Sequence, residues 1–200
     1  MAKPADVLKR IKDEEIEWVD LRFTDPKGKW QHLTMCSGVI GEDELTDGLM
    51  FDGSSIAGWK AINESDMLMM PIADTARIDP YTSIPTMYLL CDIYDPVTHI
   101  RYSRDPRGVA QRAEEYLQSS GMGDTAYFGP EPEFFVFDNV QYSSTNEASF
   151  HSVDSVEGFW NTGRDEGPNL GYKIRPKAGY YPVPPHDTLM DLRSQMVLTM

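Results

Sequence analysis

Between residues 4 and 15 the apolar positions fall at Val7, Leu8 and Ile11 among Lys and Glu, the spacing of an amphipathic helix. Residues 16–25 switch to alternation, with Ile16, Trp18 and Phe23 separated by polar residues, which predicts a half-buried strand. Asp25-Pro26-Lys27-Gly28 has turn chemistry and residues 29–35 return as a second strand, so a helix is followed by a hairpin. Residues 36–66 read as loop-rich, and a further strand pair is expected at 66–72 and 86–94, split by the segment 80–85. Ser103-Arg104-Asp105-Pro106 opens a helix with Pro in its first turn. Val109, Ala110, Ala113, Tyr116 and Leu117 would be the buried stripe of that helix, and Gly121 its stop. Two more strands are expected at 125–128 and 133–140, followed by a polar, aromatic-dotted segment (141–167) and a Pro/Tyr/Gly-rich stretch (171–185). Thr188-Leu189-Met190-Asp191 has capping-box spacing and opens a last helix that runs to Met200 with no stop signal, which reads as a chain cut from a longer one. A boundary near 104 separates a first domain (1–104) from a fresh helix–strand unit (105–200).

Composition narrows the function classes. The chain has 200 residues, 40% hydrophobic and 25% charged, which is globular composition. Its 18 Lys+Arg against 32 Asp+Glu give a net charge of −14, which argues against nucleic acid, whose binding needs a basic face, and disfavours an anionic membrane surface. No stretch approaches the ~18 apolar residues of a membrane span, and the charged N-terminus lacks the apolar core of an export signal. Cys36 and Cys91 have no metal-ligand spacing and read as reduced thiols, so a cytoplasmic location is expected.

Two segments carry candidate chemistry. In Gly129-Pro130-Glu131-Pro132-Glu133, a strand would project Glu131 and Glu133 from the same side. Adjacent carboxylates repel unless a cation or a shared proton lies between them, and oxygen ligands of this kind suit Mg²⁺ or Mn²⁺. An acidic, solvent-facing edge is the alternative. Phe51-Asp52-Gly53-Ser54-Ser55 places an Asp beside Gly and two hydroxyls, a tight loop able to offer a carboxylate to a cation or to serve only as an Asx-turn. Residues 173–185, with Arg175, Lys177, Tyr180 and Tyr181, suit either a rigid cleft-lining loop or a surface connector. His186-Asp187 reads as a helix entry, and His32, His99 and His151 stay unassigned. Phosphate-loop, dinucleotide, nucleophile-elbow and HExxH motifs are absent from the sequence.

Together these segments resemble glutamine synthetase of the bacterial class I type. The resemblance rests on FDGSSIAGWKAINESDMLMMP (51–71), GPEPEFFVFD (129–138) and GYYPVPPHD (179–187), in that order. It implies an α+β protein: a β-grasp-like N-terminal domain, then the start of a catalytic domain built on an antiparallel sheet. It implies ATP-dependent ligation of ammonia to L-glutamate, with Glu131 and Glu133 holding two divalent ions, Mg²⁺ or Mn²⁺. Asp52 matches the aspartate that binds ammonium and takes its proton across a subunit boundary; Ser55 lies beside it, and Tyr181 matches a tyrosine of the ammonium pocket. L-glutamate, ammonium and ATP are the implied small molecules, with most ATP contacts expected beyond residue 200. A homo-dodecamer of two hexameric rings is the implied assembly. A non-catalytic module derived from the family and an unrelated carboxylate–metal phosphotransferase are the competing readings.

Overall fold

The computed structural model describes residues 2–158, 160 and 173–200, and the chain forms two compact units, 1–128 and 129–200. In the first unit, α1 (Pro4–Asp13) leads into β1 (Trp18–Thr24) and β2 (Trp30–Cys36). The hairpin turn is the one expected: Gly28 adopts φ +81° and its N–H reaches the Asp25 carbonyl at 2.9 Å. The Asp25 carboxylate accepts from the Lys27 and Lys29 N–H groups, the self-capping that makes Asp a turn residue. Two short elements stand in the stretch read as loop, α2 (Glu42–Thr46) and β3 (Leu49–Asp52). Next come β4 (Asp66–Pro71), β5 (Arg77–Ile78), β6 (Thr86–Tyr94) and α3 (Pro106–Ser120).

The strands assemble in the order β2-β1-β6-β4-β3, with β5 alongside β6. Only β1 and β6 run parallel, at the centre of the sheet; the other pairs are antiparallel. Their register sets Val19 opposite Met87 and Leu21 opposite Leu89, all four fully buried. Met69 lies opposite Ile93 on the same side, and Val7 of α1 and Leu45 of α2 join this core. Leu8 and Ile11 pack partly buried against it, so the helical spacing read from the sequence is the face that docks. The opposite face of β1 and β2 carries a polar array beside Trp18 and Trp30. Buried Asp20 accepts from His32 Nδ1, Thr34 Oγ1 and Arg22 Nε, each at 2.6 Å, and Arg22 also pairs with Asp79. Burial pushes the Asp20 carboxyl up, but these three donors outweigh it and hold it below the usual range.

Helix α3 starts as expected, with the Asp105 carboxylate accepting from the Arg107 N–H at 3.1 Å, and stops at Gly121 in the left-handed conformation. Its stripe does not. Val109 and Tyr116 are exposed, and Gly108 is the buried residue of the helix. The two strands expected after it, 125–128 and 133–140, are replaced by irregular backbone up to residue 138. With no ladder formed there, no sheet face lies behind the stripe among the described residues of this unit.

In the second unit β7 (Asn139–Ser144) pairs antiparallel with β8 (Ser149–Asp154), so the strand expected from 133 begins at 139. Part of the segment 141–167, and Gly171 and Tyr172 of the next stretch, lie outside the described residues. The last helix, α4 (Met190–Thr199), starts two residues past Thr188, with Leu189 at its N-cap and no capping box. Thr188 instead donates through its N–H and hydroxyl to the Glu157 carboxylate. Asp187 does the entry work, accepting from the Leu189 N–H and pairing with Arg193. No helix among the described residues is long and apolar enough to cross a membrane.

Replacing Leu89, at the centre of the parallel pair, leaves a cavity that its rigid neighbours cannot close. Leu89→Ala should cost about 2–5 kcal/mol in urea unfolding followed by tryptophan fluorescence; a loss under ~1 kcal/mol would remove this pair from the centre of the packing.

Candidate functional site

Asp52 is the last residue of β3, an outer strand of the sheet, and lies opposite Asp66 of β4. The chain then tightens into a single 3-10 turn, Gly53–Ser55. Asp52 caps this turn: its Oδ1 accepts from the Ser54 N–H at 2.8 Å and the Ser54 hydroxyl at 2.6 Å. Its Oδ2 accepts from the Ser55 hydroxyl at 3.3 Å. The hydroxyl of Ser54, then its N–H, hold the carboxyl below the usual range against a small opposing effect of burial; Ser55 and Ser65 add to the lowering. Asp52 is therefore an exposed carboxylate, ionised at neutral pH, whose charge is stabilised by hydroxyls and an amide rather than by a cation.

The loop is fixed at both ends. Gly53 is buried and donates its N–H to the Ser65 carbonyl at 2.7 Å, and a Cβ there would run into Met67 Sδ and Cγ. At the far end, buried Trp59 stacks on Phe23 at 5.3 Å and meets Phe51 and Tyr102 edge-on. The Tyr102 hydroxyl donates to the Trp59 carbonyl and Arg104 donates to the Gly58 carbonyl, both at 2.8 Å. Sequence reasoning found the loop but missed these anchors, because Tyr102 and Arg104 are distant in the chain. Ser54 and Ser55, the two hydroxyls of the Asx-turn pattern, are the contributors that the local motif does signal.

In the second unit Glu131 and Glu133 lie in the irregular stretch before β7, exposed and without a hydrogen-bond or ion-pair partner among the described residues. The expected strand that would have put both on one side is absent, so no ladder enforces a shared face. The stretch is tied down at its end, where Asp138 N–H donates to the Asp154 carbonyl at 2.8 Å and the Asp138 carboxylate accepts from Val156 N–H at 2.7 Å. Two uncompensated carboxylates on either side of Pro132 suit Mg²⁺ or Mn²⁺, ions that commonly take one or two protein carboxylates and complete their shell with water and phosphate oxygens. Among the described residues no group of three or more His, Cys, Asp or Glu is arranged so that it could hold a metal ion. Tyr181 is exposed, with φ +52°, its ring edge-on to Tyr180 at 4.7 Å. It borders a shallow recess of roughly 400 Å³ with Lys173, Arg175 and His186.

Residues 15–96 match the family model of the glutamine synthetase β-grasp domain, and residues 103–200 match that of the glutamine synthetase catalytic domain. The chain belongs to the glutamine synthetase family. It is 53% identical over 200 residues to the glutamine synthetase of Microchaete diplosiphon, covering all of this chain and 42% of that protein. The glutamine synthetase of Aquifex aeolicus is 53% identical over 197 residues, covering 98% of this chain and 41% of that one. The chain thus spans about two fifths of the length of the curated relatives it matches. The cryo-EM structure of Plasmodium falciparum glutamine synthetase superimposes over the whole chain and 40% of its own, with a TM-score of 0.81 at 20% identity, which shows a shared α+β fold.

Gly53→Ala should destabilise the first unit by about 1–3 kcal/mol, because Met67 is fully buried and cannot withdraw from an added methyl. A thermal midpoint equal to that of the parent chain would show that the close approach of the loop to β4 is not a constraint.

Proposed function

We propose that these residues form part of an enzyme that joins ammonia to L-glutamate at the expense of ATP, giving L-glutamine. The observation that carries this reading is the family match through both domain models, at 53% identity across the whole chain, to proteins named glutamine synthetase. We place the domain boundary between 104 and 105, two residues inside the start of the catalytic-domain match at residue 103. In the first step a γ-carboxylate oxygen of glutamate bonds to the γ-phosphorus of ATP as the bond to the bridging oxygen breaks, releasing ADP. In the second, ammonia bonds to the resulting acyl carbon as its bond to phosphate breaks.

Asp52 serves the second step. Ammonium has no lone pair, and an exposed carboxylate held ionised both attracts it and can accept its proton. Ser55 stands beside Asp52 in the same loop, and in the assembled enzyme Tyr181 lines the ammonium pocket of a neighbouring subunit. Glu131 and Glu133 would hold Mg²⁺ or Mn²⁺, whose contribution when bound is to neutralise the triphosphate and orient in-line transfer. The working enzyme is a cytoplasmic homo-dodecamer of two hexameric rings, with active sites between neighbouring subunits. Two free cysteines, one exposed and one buried, accord with a reducing compartment.

In the complete enzyme, Asp52→Asn should impair ammonium-dependent turnover by about 10²–10⁴-fold while leaving formation of γ-glutamyl phosphate intact, as read by rapid-quench phosphate transfer. Equal loss in both half-reactions would make its role structural. Glu131→Gln and Glu133→Gln should each raise the divalent-ion concentration needed for half-maximal turnover while circular dichroism stays unchanged. Unaltered metal dependence in either variant would remove that residue from the metal site.

A further inference from the structure

Asp52's two carboxylate oxygens are not equivalent. Oδ1 accepts twice from one residue, Ser54, at 2.6 Å from the hydroxyl and 2.8 Å from the N–H. Each carboxylate oxygen offers about two lone-pair sites, so Oδ1 is saturated. Oδ2 has one longer contact, 3.3 Å from the Ser55 hydroxyl, and keeps acceptor capacity. Among the described residues no Lys, Arg or His pairs with Asp52. The charged group that faces it from the adjoining strand is Asp66, another acid, and Ser65 is the remaining hydroxyl nearby. Negative charge at the end of β3 is thus held in place without a countercharge. Ser54 cannot drift from this role, because Gly53 on its N-terminal side is bonded to the Ser65 carbonyl and pressed against Met67.

We propose that Ser54 is a positioning residue for Asp52: by occupying Oδ1 through both its hydroxyl and its N–H, it leaves Oδ2 as the oxygen that meets the ammonium ion and takes its proton. This rests on the reading of Asp52 as the ammonium base. The direction of the carboxyl's titration accords with it, since the Ser54 hydroxyl is the largest influence keeping Asp52 ionised. Ser54 itself touches neither substrate nor metal. It fixes the aim of the carboxylate and the fraction of it that is ready to act.

Two measurements test this. In the 200-residue chain, Ser54→Ala should move the Asp52 carboxyl titration, followed by carbon-detected NMR, upward toward the ordinary carboxylate range; Ser54→Thr, which keeps the hydroxyl, should restore it. In the complete enzyme, Ser54→Ala should raise the KM for ammonium by about tenfold, the size of a lost hydrogen bond to a charged group. It should also shift the acid limb of the pH profile to higher pH, leave γ-glutamyl phosphate formation unchanged, and be reversed by Ser54→Thr. An unmoved titration and KM in Ser54→Ala, alongside an impaired Asp52→Asn, would overturn the positioning role while sparing Asp52. Failure of Ser54→Thr to restore either readout would also overturn it. Ammonium use left intact by Asp52→Asn would instead overturn the reading of Asp52 and, with it, this proposal.

Discussion

The first unit depends on the parallel pairing of β1 with β6. These strands come from opposite ends of the sheet's sequence, and their register sets Val19 and Leu21 against Met87 and Leu89 in a layer closed to solvent. Everything else hangs from this pair. The β2 strand adds to the outer side of β1 through a hairpin, and β4 adds to β6 and carries β3. A one-residue slip between β1 and β6 would turn the apolar set to the polar side and strand Asp20 and Arg22 in the core. The Asp20–Arg22–His32–Thr34 array on the other face thereby penalises the wrong register as the methionines and leucines reward the right one.

The position of Asp52 follows from that frame. It ends a strand at one margin of the sheet, where its carboxylate reaches solvent while the residues on either side, Phe51 and Gly53, are drawn inward. Trp59 repeats the device at the far end of the loop, where its ring is buried among Phe23, Phe51 and Tyr102. Electrostatically the site is built from weak donors. Hydroxyls and an amide stabilise an anion without neutralising it, so its field remains available to a cation.

Local chemistry was legible where it was strong and short-range. Asp25-Pro26-Lys27-Gly28 specified its turn, Asp105-Pro106 and Gly121 bounded α3, and the Asp-Gly-Ser-Ser stretch announced a hydrogen-bonded turn. What escaped depends on partners remote in sequence. β3 is four residues long and exists because β4 pairs with it; the strand expected from Glu133 begins at Asn139, where among the described residues a partner, β8, lies opposite. The stripe of α3 was a sound reading of periodicity, but an apolar stripe is buried only where another element covers it. The Thr188 capping pattern is not realised: its hydroxyl and amide donate to Glu157, and the helix starts behind Leu189. Of the candidate residues, Asp52 and Ser55 sit where local turn chemistry puts them, whereas the geometry of Glu131 and Glu133 is not fixed by any ladder.

The double anchoring of the loop after Asp52 carries a thermodynamic consequence. The backbone from Gly53 to Trp59 is tied at one end through Ser65 and Met67 and at the other through Tyr102 and Arg104. Its conformational entropy is surrendered when the unit folds, at a cost of about 1–2 kcal/mol per residue, and met there by aromatic burial. A cation meeting Asp52 in the role proposed for it would find a carboxylate already ordered, with little left to impose, so the energy of the contact would go into binding rather than into arranging the loop.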